Sequence, residues 1–299
     1  MRCIGKIGIV AMLLICFLTT TVAAQVTLVR DINPFAVSSS PQDLTEVNGT
    51  LFFTADDGTS GRELWKSDGT GGGTIMLKDI NPGTSDSLPG ELTEVNGTLF
   101  FTADDGANGR ELWRSDGTPA NTVLVRDIRV GAGIGSEPRE LTNVNGIHFF
   151  TADDGVNGRE LWKRDGTDVN TVLVKDIRVG AGNSSEPREL TNVNGILFFT
   201  ADDGANGREL WRSDGTPANT VLVRDIRVDA GIGSEPLQLT NVEGILFFTA
   251  DDGVNGRELW KRDGTDVNTV LVEDIRVGAG GSSPGELTNV DGILVLYSR

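Results

Sequence analysis

Residues 92–130 read LTEVNGTLFFTADDGANGRELWRSDGTPANTVLVRDIRV, and this stretch decides the fold. Four strand-like runs stand in it, at Leu92–Val95, Leu99–Ala103, Arg110–Ser115 and Thr122–Ile128. Asn96-Gly97 separates the first two and is the preferred two-residue hairpin turn, because both positions need positive φ. Asp105-Gly106-Ala107-Asn108-Gly109 and Asp116-Gly117 supply the other turns. Four short strands joined by tight turns make an antiparallel meander. Leu99-Phe100-Phe101, Leu112-Trp113 and Val123-Leu124-Val125 place apolar side chains on successive, and therefore opposite, faces of their strands. A sheet with one wet face would alternate apolar and polar residues instead. Burial on both faces is the signature of a blade packed between two others, and each large side chain so buried contributes roughly 1.5–3 kcal/mol.

The stretch is one copy of several. Trp65, Trp113, Trp162, Trp211 and Trp260 fall at intervals of 48, 49, 49 and 49 residues. A period of this size marks propellers, solenoids or arrays. The hairpin turn recurs at Asn48-Gly49, Asn145-Gly146, Asn194-Gly195, Glu243-Gly244 and Asp291-Gly292. The longest connection, Arg129 to Glu140, marks the passage from one sheet to the next. The expected architecture is all-β, a β-propeller of four-stranded antiparallel blades. Five blades are complete, at about 44–80, 92–128, 141–177, 190–226 and 239–275. A partial sixth is expected from the two termini, residues 26–32 with 287–297, lacking the Glu-Leu-Trp strand. An open arc, or a piece of a longer array, is the alternative.

Residues 1–24 read as a secretory signal peptide. Arg2 and Lys6 precede the apolar run Ile7–Leu18, and Val22-Ala23-Ala24 offers small residues for cleavage before Gln25. Both cysteines, Cys3 and Cys16, lie in this leader. Residues 25–299 are then one cysteine-free domain, secreted or at the cell surface, with no disulfide, thiolate metal site or cysteine nucleophile. Loss of the leader takes the net charge from −17 to −19. Such a surface repels a phosphate backbone, so nucleic acid is not an expected partner.

At five places the sequence resembles the bacterial ELWxxDGT repeat proteins: ELWKSDGT at 63–70, ELWRSDGT at 111–118 and 209–216, and ELWKRDGT at 160–167 and 258–265. The NGxLFFTADDG segments match as well. The resemblance implies an exported or surface-attached propeller-type repeat protein and assigns no reaction.

Candidate chemistry is sparse. His148 is the single histidine and stands where other copies have Leu51, Leu99, Leu197 and Leu246. It reads as a substitution at a strand start, because no distinctive acid or nucleophile accompanies it. No catalytic residue is assigned. The carboxylate pairs Asp56-Asp57, Asp104-Asp105, Asp153-Asp154, Asp202-Asp203 and Asp251-Asp252 are oxygen-donor candidates for weak calcium sites, and Asp-Gly is equally a turn dipeptide. Calcium is thus the one possible cofactor. The five tryptophans could stack on sugars or pack between blades, and flanking Leu and charged residues favour packing. Arg62, Arg110, Arg159, Arg208 and Arg257, present in every copy, are expected to serve the scaffold by pairing with nearby carboxylates. The function expected is a non-catalytic scaffold that binds a protein or extracellular polysaccharide. The alternatives are a multivalent glycan- or calcium-binding module and a carboxylate-based hydrolase or lyase.

Overall fold

A computed structural model describes residues 27–35, 37–164, 171–262 and 269–297. The proposed leader, 1–24, lies outside the described residues. Among those described the structure is all-β, with no helix. Five four-stranded antiparallel sheets follow one another, each with its strands in sequence order. The first blade comprises Gln42–Val47, Thr50–Asp56, Arg62–Ser67 and Ile75–Lys78, and the second Gly90–Val95, Thr98–Asp104, Arg110–Ser115 and Val123–Arg126. The third comprises Arg139–Val144, Ile147–Asp153, Arg159–Arg164 and Val172–Lys175, and the fourth Arg188–Val193, Ile196–Asp202, Arg208–Ser213 and Val221–Arg224. Leu237–Val242, Ile245–Asp251, Arg257–Arg262 and Thr269–Glu273 make the fifth.

The turn chemistry acts as the sequence requires. Asn96 and Gly97 have φ of 51° and 79°, the left-handed pair that a tight hairpin needs. Burial falls on both faces of each blade. Phe101 and Trp113 of the second blade pack on Leu64, Leu77 and Ile80 of the first. Phe100, on the opposite face, joins Leu112 and Ile128 in packing against Phe150 and Trp162 of the third. The Phe-Phe pairs of the second, third and fourth blades therefore divide their two rings between two neighbouring blades. This division is why the doublet recurs.

The first strands lie side by side from one blade to the next, and side chains stitch them together. Each carries a bulge after its first residue, as between Gly90 and Thr93. The bulged residue then reaches the next blade's backbone. Glu91 accepts from the Glu140 amide at 3.1 Å, Glu140 from Leu190 at 3.2 Å, Glu189 from Leu239 at 3.1 Å and Gln238 from Leu287 at 2.9 Å.

The sixth blade departs from expectation. Gly285–Val290 and Ile293–Tyr297 form a two-stranded sheet of their own. Residues 27–32 form no strand and lie on the first blade instead. Arg30 donates to the Thr74 carbonyl and sits 5.9 Å from the Trp65 ring centroid, while Ile32 packs on Phe53, Ala55 and Trp65. That is the place Lys78 takes on the second blade, where it donates to the Thr122 carbonyl at 2.8 Å and lies 5.6 Å from the Trp113 ring. The N-terminal segment thus does match a fourth strand, but the two termini do not pool into one sheet, and the arrangement is open. The reason is the missing third strand. In every complete blade the fourth strand bonds only to the third, and neither terminal piece contains one.

Candidate functional site between the second and third blades

Most of the repeated polar residues are engaged in the scaffold. Each Glu of the Glu-Leu-Trp strand is fully buried. It clamps the connection to the following blade: Glu160 accepts from the Ser185 amide at 2.8 Å, the Ser185 hydroxyl at 2.6 Å and the Ile177 amide at 3.1 Å. Burial pushes the Glu63 and Glu160 carboxyls up to about 7 despite these donors. The Glu111 and Glu209 carboxyls are raised by burial too.

The calcium candidates are placed in the glycine-rich loops and staple them. Asp56, Asp104, Asp153, Asp202 and Asp251 accept from the glycine amide two residues on, at 2.7–2.8 Å. Asp153 and Asp202 also pair with Arg129 and Arg178, at 2.6 and 2.9 Å, and Asp251 with Arg227 at 3.4 Å. The second carboxylates are bound more fully. Asp105 accepts from the amides of Ala107 and Asn108 and from the Asn108 side chain, at 2.7–2.9 Å. Asp154, Asp203 and Asp252 do the same in their loops, and Asp57 accepts from the amides and hydroxyls of Thr59 and Ser60. Burial alone would raise these carboxyls, but the amide donors outweigh it and hold all five below the usual range. Among the described residues no three His, Cys, Asp or Glu side chains come together as a metal site.

The tryptophans are buried, Trp113, Trp162, Trp211 and Trp260 between blades and Trp65 beside Ile32 of the N-terminal segment. Cations lie over Trp65, Trp113, Trp211 and Trp260 at 5.6–5.9 Å, so the faces a sugar would need are covered. The recurring arginines bond to backbone and threonine, and two also pair with carboxylates, Arg110 with Glu137 at 4.0 Å and Arg208 with Glu235 at 3.8 Å. Arg62 donates to the Ser40 carbonyl at 2.9 Å and the Thr54 hydroxyl at 3.1 Å. Arg159 and Arg208 reach the carbonyls of Glu137 and Glu186 at 2.7 and 2.8 Å. Arg110 and Arg257 donate to the hydroxyls of Thr102 and Thr249 at 2.9 and 3.0 Å.

One place breaks the repetition. Between the second and third blades lies a cavity of about 230 Å³ lined by Val95, Asn96, Thr98, Phe100, Arg114, Gly146, His148 and Arg164. Strand register builds it. Phe100 stands opposite Arg114 in one blade, and His148 opposite Arg164 in the next. The His148 ring is 1% exposed and lies 4.7 Å from Phe100 and 5.9 Å from Phe150, centroid to centroid. Neither of its ring nitrogens has a hydrogen-bond partner. Burial, and secondarily the Arg164 charge, lowers its pKa to about 3, so the ring is neutral. The Arg164 guanidinium lies 4.7 Å from the Phe100 centroid.

Sequence reasoning placed His148 at a strand start and missed its surroundings. The signal was present in the last motif residue before Asp-Gly-Thr, which is Ser67, Ser115, Arg164, Ser213 and Arg262 along the chain. Where it is serine, its hydroxyl bonds a threonine, as in Ser115 to Thr122 at 2.8 Å, and caps the Gly117 amide at 3.0 Å. Arginine abolishes that pair, leaves the Thr171 hydroxyl buried without a partner, and extends into the space between blades.

No protein-family model matches the chain. No curated protein matches it either. Among solved structures it is similar to the computationally designed Ika8 protein, with 21% identity over 86% of this chain and 68% of that one, at a TM-score of 0.46. It is similar to puromycin hydrolase, 14% identical over 89% of this chain and 44% of that one, TM-score 0.47. It is also similar to the β-propeller domain of the Trilobed protease from Pyrococcus furiosus, described as having an open velcro topology, 12% identical over 87% of this chain and 77% of that one, TM-score 0.46. The chain thus spans less than half of the hydrolase, and at these identities the likeness assigns no activity.

Proposed function

We propose that this chain is an exported, non-catalytic scaffold that adheres to a protein or surface polymer through a row of apolar side chains repeated along one edge of the array. The observation that carries this reading is the valine of the connections that leave the second, third, fourth and fifth blades; the connection that leaves the first has Pro82 there. Val130, Val179, Val228 and Val277 are 80–90% exposed. Ile134, Val156, Ile232 and Val254, on the same connections or on the glycine-rich loops, are exposed as well. These segments touch: the Gly133 amide bonds the Ala107 carbonyl, and the Gly182 amide the Val156 carbonyl, each at 2.8 Å. Single exposed apolar residues are ordinary, whereas a contiguous patch marks an interaction surface. Repetition at one spacing gives such a surface avidity even where each contact is weak. The five ELWxxDGT motifs, by their resemblance to exported repeat proteins, support a location outside the cell.

Beads coated with residues 25–299 should adhere to the surface of the producing cells. Beads coated with the Val130→Ser, Val179→Ser, Val228→Ser, Val277→Ser variant should not, while its circular dichroism stays that of the parent. Equal adhesion of both would refute the reading.

A further inference from the structure

The same two faces meet at every junction of complete blades. Each blade ends in a trailing face, carried in the first blade by Val47, Phe52 and Leu64, and the next blade answers with a leading face, carried in the second by Leu92, Phe101 and Trp113. At the two ends of the described array, one face of each kind has no mate.

At the leading end, Leu44, Phe53 and Trp65 of the first blade stand at the positions of Leu92, Phe101 and Trp113. Arg30 and Ile32 cover part of this face, in the places that Lys78 and Ile80 of a preceding fourth strand take elsewhere. Among the described residues no first, second or third strand precedes them. Leu44 is consequently 63% exposed, whereas Leu92, Leu141 and Leu190 pack against the blade before. Beside it, Leu28, Val29, Pro41 and Phe53 line an apolar recess of about 230 Å³. At the trailing end, Val290, Ile293 and Val295 of the terminal two-stranded sheet hold the register of Val47, Thr50 and Phe52. Val290 is 49% exposed, against 3–5% for Val47, Val95, Val144, Val193 and Val242. Ile293 and Val295 are exposed as well.

The bonds between first strands continue the match. From Thr45 to Leu92 through to Thr240 and Leu287, each threonine hydroxyl donates to the leucine carbonyl of the next blade, at 3.2–3.5 Å. The bulged acceptors form a parallel series that ends with Gln238 on the Leu287 amide. Thr288 and Glu286 are the next donor and acceptor of these two series, and the Leu44 backbone carries the carbonyl and amide of the residue type they engage.

We propose that the terminal sheet of one copy docks on the first blade of a second copy, head to tail, as each blade docks on the next. The fit is specific. Residues 27–32 already fill the place of a fourth strand, so the incoming element must bring first and second strands and no fourth. The sheet of Gly285–Val290 and Ile293–Tyr297 is such an element. The two sheets meet face to face, so no third strand is needed for the contact. One patch meets a different patch, which leaves the opposite ends free to add further copies or to close a ring.

Sedimentation velocity of residues 25–299 between about 1 and 200 μM, a range that detects micromolar association, should show concentration-dependent assembly. Leu44→Asp and Val295→Asp replace exposed side chains, so each variant should keep the parent's circular dichroism and sediment as a monomer. An equimolar mixture of the two should form a dimer and nothing larger, because one variant keeps an intact terminal sheet and the other an intact first blade. A parent that stays monomeric across the range, variants that assemble like the parent, or a mixture that stays monomeric would each overturn the proposal. The connection valines belong to neither face, so bead adhesion is tested separately.

Discussion

Phe100 and His148 face each other across the junction of two blades, with ring centroids 4.7 Å apart and planes tilted by 45°. The contact satisfies the ring's apolar face and leaves its polar edge unbonded. An unsatisfied buried polar group costs about 1–3 kcal/mol, and leucine at the same strand position is tolerated at Leu99, Leu197 and Leu246. His148→Leu should therefore stabilise the protein, raising Tm by a few degrees, at about 2–4 °C per kcal/mol for a chain of this order. Differential scanning calorimetry checks it. A fall in Tm would mean that the imidazole already has a partner.

The buried glutamates give a pH dependence of definite sign. In the folded chain Glu63 and Glu160 keep their protons to about pH 7, whereas an unfolded glutamate loses its proton near 4.3. Between those values the folded state binds more protons, so stability falls as pH rises. The benefit is complete below the unfolded value and gone above the folded one. The midpoint of urea unfolding should be higher at pH 5.5 than at pH 8. Glu63→Gln and Glu160→Gln together should reduce that difference. An equal difference in the double variant would remove the glutamates as its source.

What was legible in the sequence, and what was not, divides by the range of the interactions. Asn96-Gly97 and the Phe100-Phe101 doublet report local backbone and two-faced burial, and these identified the blades. The sixth unit failed because matching Val26–Ile32 to a fourth strand says nothing about a partner; pairing requires a third strand that neither end supplies. The cavity failed for another reason. Thr98, His148 and Arg164 are far apart along the chain, and each alone looks like drift. Only strand register and the stacking of two blades bring them together. Near-identity among copies also draws attention to what repeats, and here the distinctive chemistry lies in what does not.

The glycine-rich loops allow a direct test of their carboxylates. Asp105 accepts two amides and one side-chain amide, so its oxygens are already committed. Asp105→Ala should cost about 1–2 kcal/mol, since amides at a partly buried site lose their acceptor, and Asp105→Asn should cost less because one oxygen remains. Millimolar calcium should leave Tm unchanged. A rise in Tm with calcium that disappears on chelation, and is absent in Asp105→Ala, would instead make the loop an ion site.

Trp113 bears on how the blades hold one another. It packs with Leu64, Leu77 and Ile80 of the preceding blade, beneath the Lys78 ammonium. Its indole nitrogen is buried without a partner, so its contribution is packing and the cation contact rather than a hydrogen bond. Trp113→Phe should therefore cost far less than Trp113→Ala, for which loss of the whole ring costs about 3–5 kcal/mol. The larger deletion should also change the form of unfolding. In a repeat protein each unit is stabilised by its neighbours, and the junction removed is the one that joins the first blade to the rest. Calorimetry of Trp113→Ala should show a separate, earlier transition for the first blade, and limited proteolysis should cut first between residues 79 and 90. A single transition merely shifted downward would mean that the stitching of the first strands, and not the tryptophan layer, couples the blades.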